Sequence, residues 1–354
     1  MAGPRVFHFL VLPEFSFLAF ISAIEPLRVA NHFRPDSYRW RVLSCDGGPV
    51  VATNGMLLDA ECAFGDATGV DTVFVLSGFN TLDYYRPGLG EWLRATHKRG
   101  ATIGASDGGA FVLAEARLLR NTPVALHWSS HSPFAERYPL LKVSEALFEV
   151  SERTITCAGG TACIDMVLAL IDRDHGTALA TQISDWFILG RIRSQSSHQR
   201  MEIASRYRLH NDRSILAVRL MQQHIEDPLP IDDLAQMVGV TRRQLERLFG
   251  THLGMPPTRF YLGLRLDQAR ELLQQTGMTV TEVVVACGFG SSSYFSRAYR
   301  AKFGRVPKDD RTEARSTARQ RATSKTRGNS RHLPDNPTTR HHPAEHPPTH
   351  TRHD

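Results

Sequence analysis

No apolar run in the 354 residues reaches the roughly 18 residues that a membrane-spanning helix needs, so no membrane span is expected. The first apolar run, Val6–Leu12, is short, follows a single Arg5 and has no small-residue cleavage site behind it. It reads as a strand rather than a secretory leader. Cysteine is scarce and shows no pairing pattern. Cys45, Cys62, Cys157, Cys163 and Cys287 make an odd count without a CxxC pair, so neither a disulfide framework nor a zinc site is indicated. A reducing cytoplasm is the expected compartment, and no metal or cofactor is expected.

What is present suits two ordinary domains: 42% hydrophobic and 22% charged residues over a length that exceeds one typical domain. The net charge of +6 is uneven. Residues 1–209 carry 20 Lys/Arg against 21 Asp/Glu, residues 210–307 carry 12 against 9, and residues 308–354 carry 10 against 6. A near-neutral front and a basic rear point to a polyanion meeting only the rear. The tail 308–354, rich in Arg, His, Pro, Ser and Thr, lacks the apolar residues to offset its ordering entropy, so disorder is expected there.

In residues 1–190, short apolar runs alternate with helical patterns. Strands are expected at Val6–Leu12, Trp40–Cys45, Thr72–Leu76, Ala101–Ile103 and Val124–Leu126; helices at Phe17–Ala30, Glu91–Arg99, Ala110–Leu119 and Thr161–Asp174. This alternation predicts an α/β domain, a mostly parallel sheet flanked by helices, with ligands beyond the carboxyl ends of its strands. The segment Gly104-Ala105-Ser106-Asp107-Gly108-Gly109 joins a strand directly to an Ala/Leu-rich helix. Small residues there permit a tight turn that lifts Asp107 above the sheet, as in a nucleophile elbow. A carboxylate is a poor nucleophile, so Asp107 is expected either to contact a ligand or to cap the helix, not to catalyse.

This front domain resembles the class I glutamine-amidotransferase-like, PfpI-type superfamily of flavodoxin-like folds. By that resemblance Glu25 and His127 would stand beside the elbow residue. Two acids, Glu25 and Asp107, facing one pocket would favour a cation between them. Phe15, Phe79 and Trp128, at expected strand ends, are candidate faces for that cation.

Residues 191–212 are polar and rich in Arg, Ser and Gln, and read as a linker. From 213 to 307 an all-α domain with two related units is expected. In the first, a helix stops at Gly239, and Thr241 opens the next with Gln244 placed for a capping box. Leu245, Leu248 and Phe249 face inward; Thr241, Arg242, Arg243, Gln244 and Arg247 face outward. The second unit repeats this about 50 residues on, with Gly288, then Ser291, Ser292, Ser293 and Arg297 outward. Helix, glycine turn and helix with a basic leading face is the helix-turn-helix arrangement, and its Arg and Gln side chains suit guanine and adenine edges. Between the units Thr258–Gln275 is one continuous helix, long enough to hold two recognition helices about one DNA turn apart.

The second unit, Ala286-Cys287-Gly288-Phe289 through Phe303-Gly304-Arg305-Val306-Pro307, closely resembles the signature of the AraC/XylS family. The two domains together resemble its GlxA-type branch, where Asp-x-Gly-Ala-Phe replaces the catalytic motif, as Asp107-Gly108-Gly109-Ala110-Phe111 does here. The segments around Glu25-Pro26-Leu27, Cys157-Ala158-Gly159-Gly160 and Arg173-Asp174-His175-Gly176 resemble members that respond to arginine, glycine betaine or carnitine. The resemblance implies a non-enzymatic homodimeric regulator, an activator, acting on promoter DNA and RNA polymerase under a small cationic or zwitterionic effector. The rival readings are a hydrolase at the Asp107 elbow and a DNA-binding protein whose front domain is only a dimerisation scaffold.

Overall fold

Alternation along the first strand shows how the front domain is built. In β1 (Arg5–Val11), Phe7, Phe9 and Val11 enter one core while Leu10 enters another. A strand buried on both faces belongs inside a parallel sheet, because crossover helices cover both sides. Six further strands join it: β2 (Tyr38–Ser44), β3 (Cys62–Ala63), β4 (Thr72–Ser77), β5 (Thr102–Asp107), β6 (Phe148–Val150) and β7 (Thr154–Cys157). Their order is β6-β7-β5-β4-β1-β2-β3, with only the β6–β7 pair antiparallel. This computed structural model describes residues 3–78, 80–120, 122–200, 202–275 and 278–311.

On one face, α1 (Phe17–Phe33), α4 (Ala162–His175) and α5 (Thr177–Trp186) cover a core of Phe7, Phe9, Phe74, Met166 and Ile183. On the other, α2 (Pro87–Lys98) and α3 (Gly109–Glu115) cover Leu10, Val73, Val75 and Ile103. The expected strand at 124–126 shrinks to Val124–Ala125 and pairs with Val143–Ser144 outside the main sheet. Its place beside β5 is taken by β7, a strand that sequence reading passed over.

The rear domain is built mainly on α6 (Asp212–Gln223), α7 (Ile231–Met237), α8 (Arg242–Leu253), α9 (Pro257–Gln275), α10 (Val280–Ala286) and α11 (Ser292–Phe303), with a short helix Ile203–Tyr207 packed on the first of its cores. They enclose two cores, one around Val218, Leu234, Leu245 and Phe249, the other around Val283, Cys287, Phe295 and Tyr299. The long α9 serves both, giving Phe260 and Tyr261 to the first and Leu266, Ala269, Leu272 and Leu273 to the second.

Two expected boundaries move. Helix continues from Pro307 to Arg311, because proline is at home in the first turn of a helix as well as after its end. Asp310 is buried, accepts a hydrogen bond from Tyr299 Oη at 2.6 Å and ion-pairs with Arg270 and Arg305. The tail expected from 308 therefore begins no earlier than 312, and residues 312–354 lie outside those described. The linker is also shorter than expected, because side chains from 193 to 200 are fastened to the front domain.

Candidate functional site

In the front domain the carboxyl ends of three parallel strands lie side by side, the place where such sheets bind ligands. Ser77 of β4 pairs beside Asp107, and Cys157 of β7 beside Ser106. At Asp107 the chain turns through φ +56°, a left-handed value that costs most non-glycine residues about 1 kcal/mol and that Asp and Asn tolerate best. The following loop lies against it. A Cβ added to Gly159, itself at φ +91°, would stand 3.0 Å from Asp107 Cβ and 3.2 Å from its Oδ2. Only glycine lets this backbone approach so closely.

Burial pushes the Asp107 carboxyl up to about 7, and the adjacent Gly108 N–H opposes this only in part. Helix α3 begins after Gly108 with no side-chain cap, so Asp107 does not cap it. Below the turn Ser106 Oγ lies 3.2 Å from Cys163 Sγ, which is 3.8 Å from Cys157 Sγ. Burial holds the Cys157 thiol well above its usual range, so it is a packing group rather than a nucleophile.

The other expected ligand residues fare unevenly. Glu25 does not meet Asp107. Helix α1 starts after its cap Ser16 and runs back along the sheet, so nine residues at 1.5 Å carry Glu25 roughly 13 Å from the strand ends. There it pairs with Arg28 at 2.8 Å. Phe15 is fully buried against Phe17 and Phe20 and offers no open face. Phe79 lies outside the described residues. His127 caps a short turn: its Nδ1 accepts from the Ser129 N–H and hydroxyl, which leaves the ring proton on Nε2. Burial, with His131 and Arg200 nearby, lowers it to about 4, so it is neutral; its partners do not include Asp107. Trp128 is half-buried, and one face is covered by the Arg200 guanidinium, 4.0 Å from the ring centroid. Among the described residues no group of His, Cys, Asp or Glu could hold a metal ion.

The rear domain carries the second site. Thr241 and Gln244 form the complete capping box at the start of α8, and Thr279 with Glu282 does the same for α10. Gly239 and Gly288, at φ +71° and +68°, make the two turns that aim α8 and α11 away from their partner helices. All nine expected contact residues, Thr241, Arg242, Arg243, Gln244, Arg247, Ser291, Ser292, Ser293 and Arg297, are exposed on the leading ends of those helices. Their availability differs. Arg242 is held by Asp232 at 3.2 Å and Glu246 at 3.1 Å, and Gln244 spends its carbonyl on the Thr241 N–H. Among the described residues Arg243, Arg247 and Arg297 have no ion-pair partner.

Sequence reading missed two residues here. Tyr294 stands 46% exposed on the outward face of α11, a position signalled only by its place next to buried Phe295. Arg265 of α9 donates to the carbonyls of Cys287 and Gly288 at 2.8 and 2.6 Å and lies over the Phe289 ring, fixing the second turn. No local pattern announces that contact.

Comparison with known proteins agrees with both halves. Residues 234–313 match the helix-turn-helix domain family and residues 9–173 the DJ-1/PfpI family. The HTH-type transcriptional regulator CdhR of Pseudomonas aeruginosa is 50% identical over 86% of this chain and 91% of its own length. The regulators GbdR and ArgR of the same species are 38% and 35% identical, over 87% and 89% of this chain and 84% and 95% of theirs. The chain belongs to the AraC family of transcriptional regulators. A solved AraC-family regulator from Pseudomonas putida covers 52% of this chain and 100% of its own at 26% identity, with a TM-score of 0.49. As an AraC-family regulator the chain is a DNA-binding protein, not an enzyme, with a PfpI-like domain in front. Among the described residues no helix is long and apolar enough to cross a membrane.

Proposed function

We propose that the front domain senses a small cationic or zwitterionic metabolite of the arginine, glycine betaine or carnitine kind, bound near Asp107, and that binding alters the DNA affinity of the helix-turn-helix pair. The carrying observation is the carboxyl of Asp107, crowded by glycine backbone at the strand ends, where among the described residues no basic group offsets its burial. A cation arriving there supplies the missing counter-charge and draws the group into its ionised form. The aromatic face assigned to that cation is Trp128, three residues past Ala125, whose N–H is hydrogen-bonded to Thr156 of β7, the strand beside β5. Glu25 and Phe15 have no part in this reading; His127 serves as a neutral neighbour. The regulator acts in the cytoplasm as a homodimer that activates transcription through RNA polymerase, a reading that rests on the family resemblance. Nucleotide contacts fall to the nine exposed residues of α8 and α11.

The test is thermal unfolding of the full-length protein against arginine, glycine betaine, carnitine, choline and neutral amino acids. At about 100 times Kd a ligand stabilises by ~2.7 kcal/mol. For a domain of this size that is about 5–10 °C. The shift should appear with one cationic compound and vanish in Asp107→Asn. No shift with any of them rejects the cation sensor in favour of a scaffold.

A further inference from the structure

The ring that the front domain offers to a ligand's cation already carries a cation of its own chain. Arg200 reaches Trp128 at the end of a strap, residues 193–200, that is tied down along its length. Arg193 donates from its backbone N–H, Nε and Nη2 to the buried Asp165 carboxylate at 2.7, 2.9 and 2.6 Å, and from Nη2 to Thr161 Oγ1 at 3.0 Å. Gln195 accepts from the Leu147 N–H at 3.0 Å and donates to Glu149 at 2.8 Å. Gln199 donates to the carbonyls of Leu126 and Ala146 at 3.0 and 2.8 Å. The strap thus runs from the start of α4, beside the glycines packed on Asp107, to the loop that carries His127 and Trp128.

Beyond Trp128, Arg200 feels the rear domain. Glu271 of α9 is its acidic neighbour and Arg206 its basic one. Glu271 in turn is half-buried, with Arg200 and Arg206 as its cationic neighbours and Asp267 as its acidic one. Because α9 packs into both helix-turn-helix cores, a change in what holds Glu271 acts on the element that sets the two recognition helices relative to each other.

We propose that Arg200 is a built-in occupant of the effector's cation subsite on Trp128, displaced when the quaternary ammonium or guanidinium group of the effector takes that ring face. This rests on the cation-sensor reading above. One ring face holds one cation, so effector and Arg200 compete. Leaving the ring also withdraws the guanidinium from Glu271, so Trp128 and α9 lose the same cation together. Two states with different contacts at two sites are what coupling requires.

The test uses the full-length protein, wild type and Arg200→Ala. Calorimetry reads the binding of arginine, glycine betaine, carnitine and choline, and a DNA site selected from a random pool reads effector-free DNA affinity. Losing the competitor should tighten binding of the responding compound by roughly 2- to 30-fold, the range of a cation over an aromatic ring. Trp128→Leu should weaken it by a similar factor. Effector-free Arg200→Ala should hold DNA as effector-loaded wild type does, Glu271→Gln should shift DNA affinity in the same direction, and Arg200→Lys should restore both readouts. Arg191→Ala, exposed and outside the strap, should change neither; equal unfolding temperatures confirm that the variants are folded. Equal ligand affinity in Arg200→Ala and wild type overturns the competition while the cation sensor stands. Tighter binding with unchanged DNA affinity overturns the link to α9. A panel in which no compound binds any variant overturns the sensor and this inference together.

Discussion

Asp107→Asn removes the ionising proton while keeping the shape of the side chain and the tolerance for φ +56°, so it isolates the effect of charging this carboxyl. In the folded protein the group sits at about 7, against an ordinary value of 3.8. Because the folded value is the higher one, the native state holds a proton that the unfolded chain has already released between those values. Stability therefore falls as pH rises from about 4 to about 7 and levels off above. Roughly three pH units at 1.36 kcal/mol each give about 4 kcal/mol as the upper bound on that loss. For a front domain of this length the equivalent is roughly 8–15 °C in Tm. Thermal unfolding of both proteins from pH 5 to pH 9 is the assay. The wild type should fall progressively below Asp107→Asn up to about pH 7 and run parallel to it above. Two curves that stay parallel across the whole range would refute the buried, uncompensated carboxyl. The same proton governs the effector: affinity for a cation should rise up to tenfold per pH unit below 7 and flatten above, and in Asp107→Asn it should show no such slope.

Two other sets of substitutions read separate parts of the molecule. Arg243→Ala, Arg247→Ala and Arg297→Ala, which remove unpaired guanidinium groups, should each cost about 1–3 kcal/mol of DNA affinity where they read a base, while Arg242→Ala, already held by Asp232 and Glu246, should cost under about 1 kcal/mol by gel shift. Arg193→Ala leaves Asp165 buried and unpaired, which should destabilise the front domain by roughly 3 kcal/mol in chemical denaturation, and a loss near zero would show that the strap is not held by this pair.

Features built from neighbours in sequence were legible in advance. The capping boxes at Thr241 and Thr279 depend on residues three apart, and the paired glycine turns depend on one residue each, so their repetition about 50 positions apart exposed the rear domain. The elbow was equally local: small residues on both sides of Asp107 leave few other turns. Glu25 was misplaced because its position rested on likeness alone. The start of α1 at Phe17 and the rise of a helix carry it down toward the other end of the sheet. Phe15 failed for a different reason. An aromatic residue at a strand end has the same sequence signature whether it lines a crevice or completes a core, and here Phe17 and Phe20 close over it.

The polar segment after α5 shows where such reading ends. A stretch with no apolar stripe looks solvated, because periodicity detects only elements that bury hydrophobic faces. Residues 193–200 are instead fixed by hydrogen bonds and an ion pair, whose partners can sit anywhere in the chain. Asp165 is 28 positions from Arg193, and Leu126 is 73 from Gln199. Fixing such a segment costs conformational entropy at every residue, while ordinary hydrogen bonds return only about 1 kcal/mol each. The buried Asp165–Arg193 pair is the strong anchor, and the contact of Arg200 with Trp128, worth about 0.5–1 kcal/mol at an open site, is the weak one. A strap that is firm at one end and weak at the other opens from the weak end. That end lies between the sensor ring and Glu271 of α9, so a competing cation needs to overcome only the weaker contact to change what reaches the DNA-binding helices.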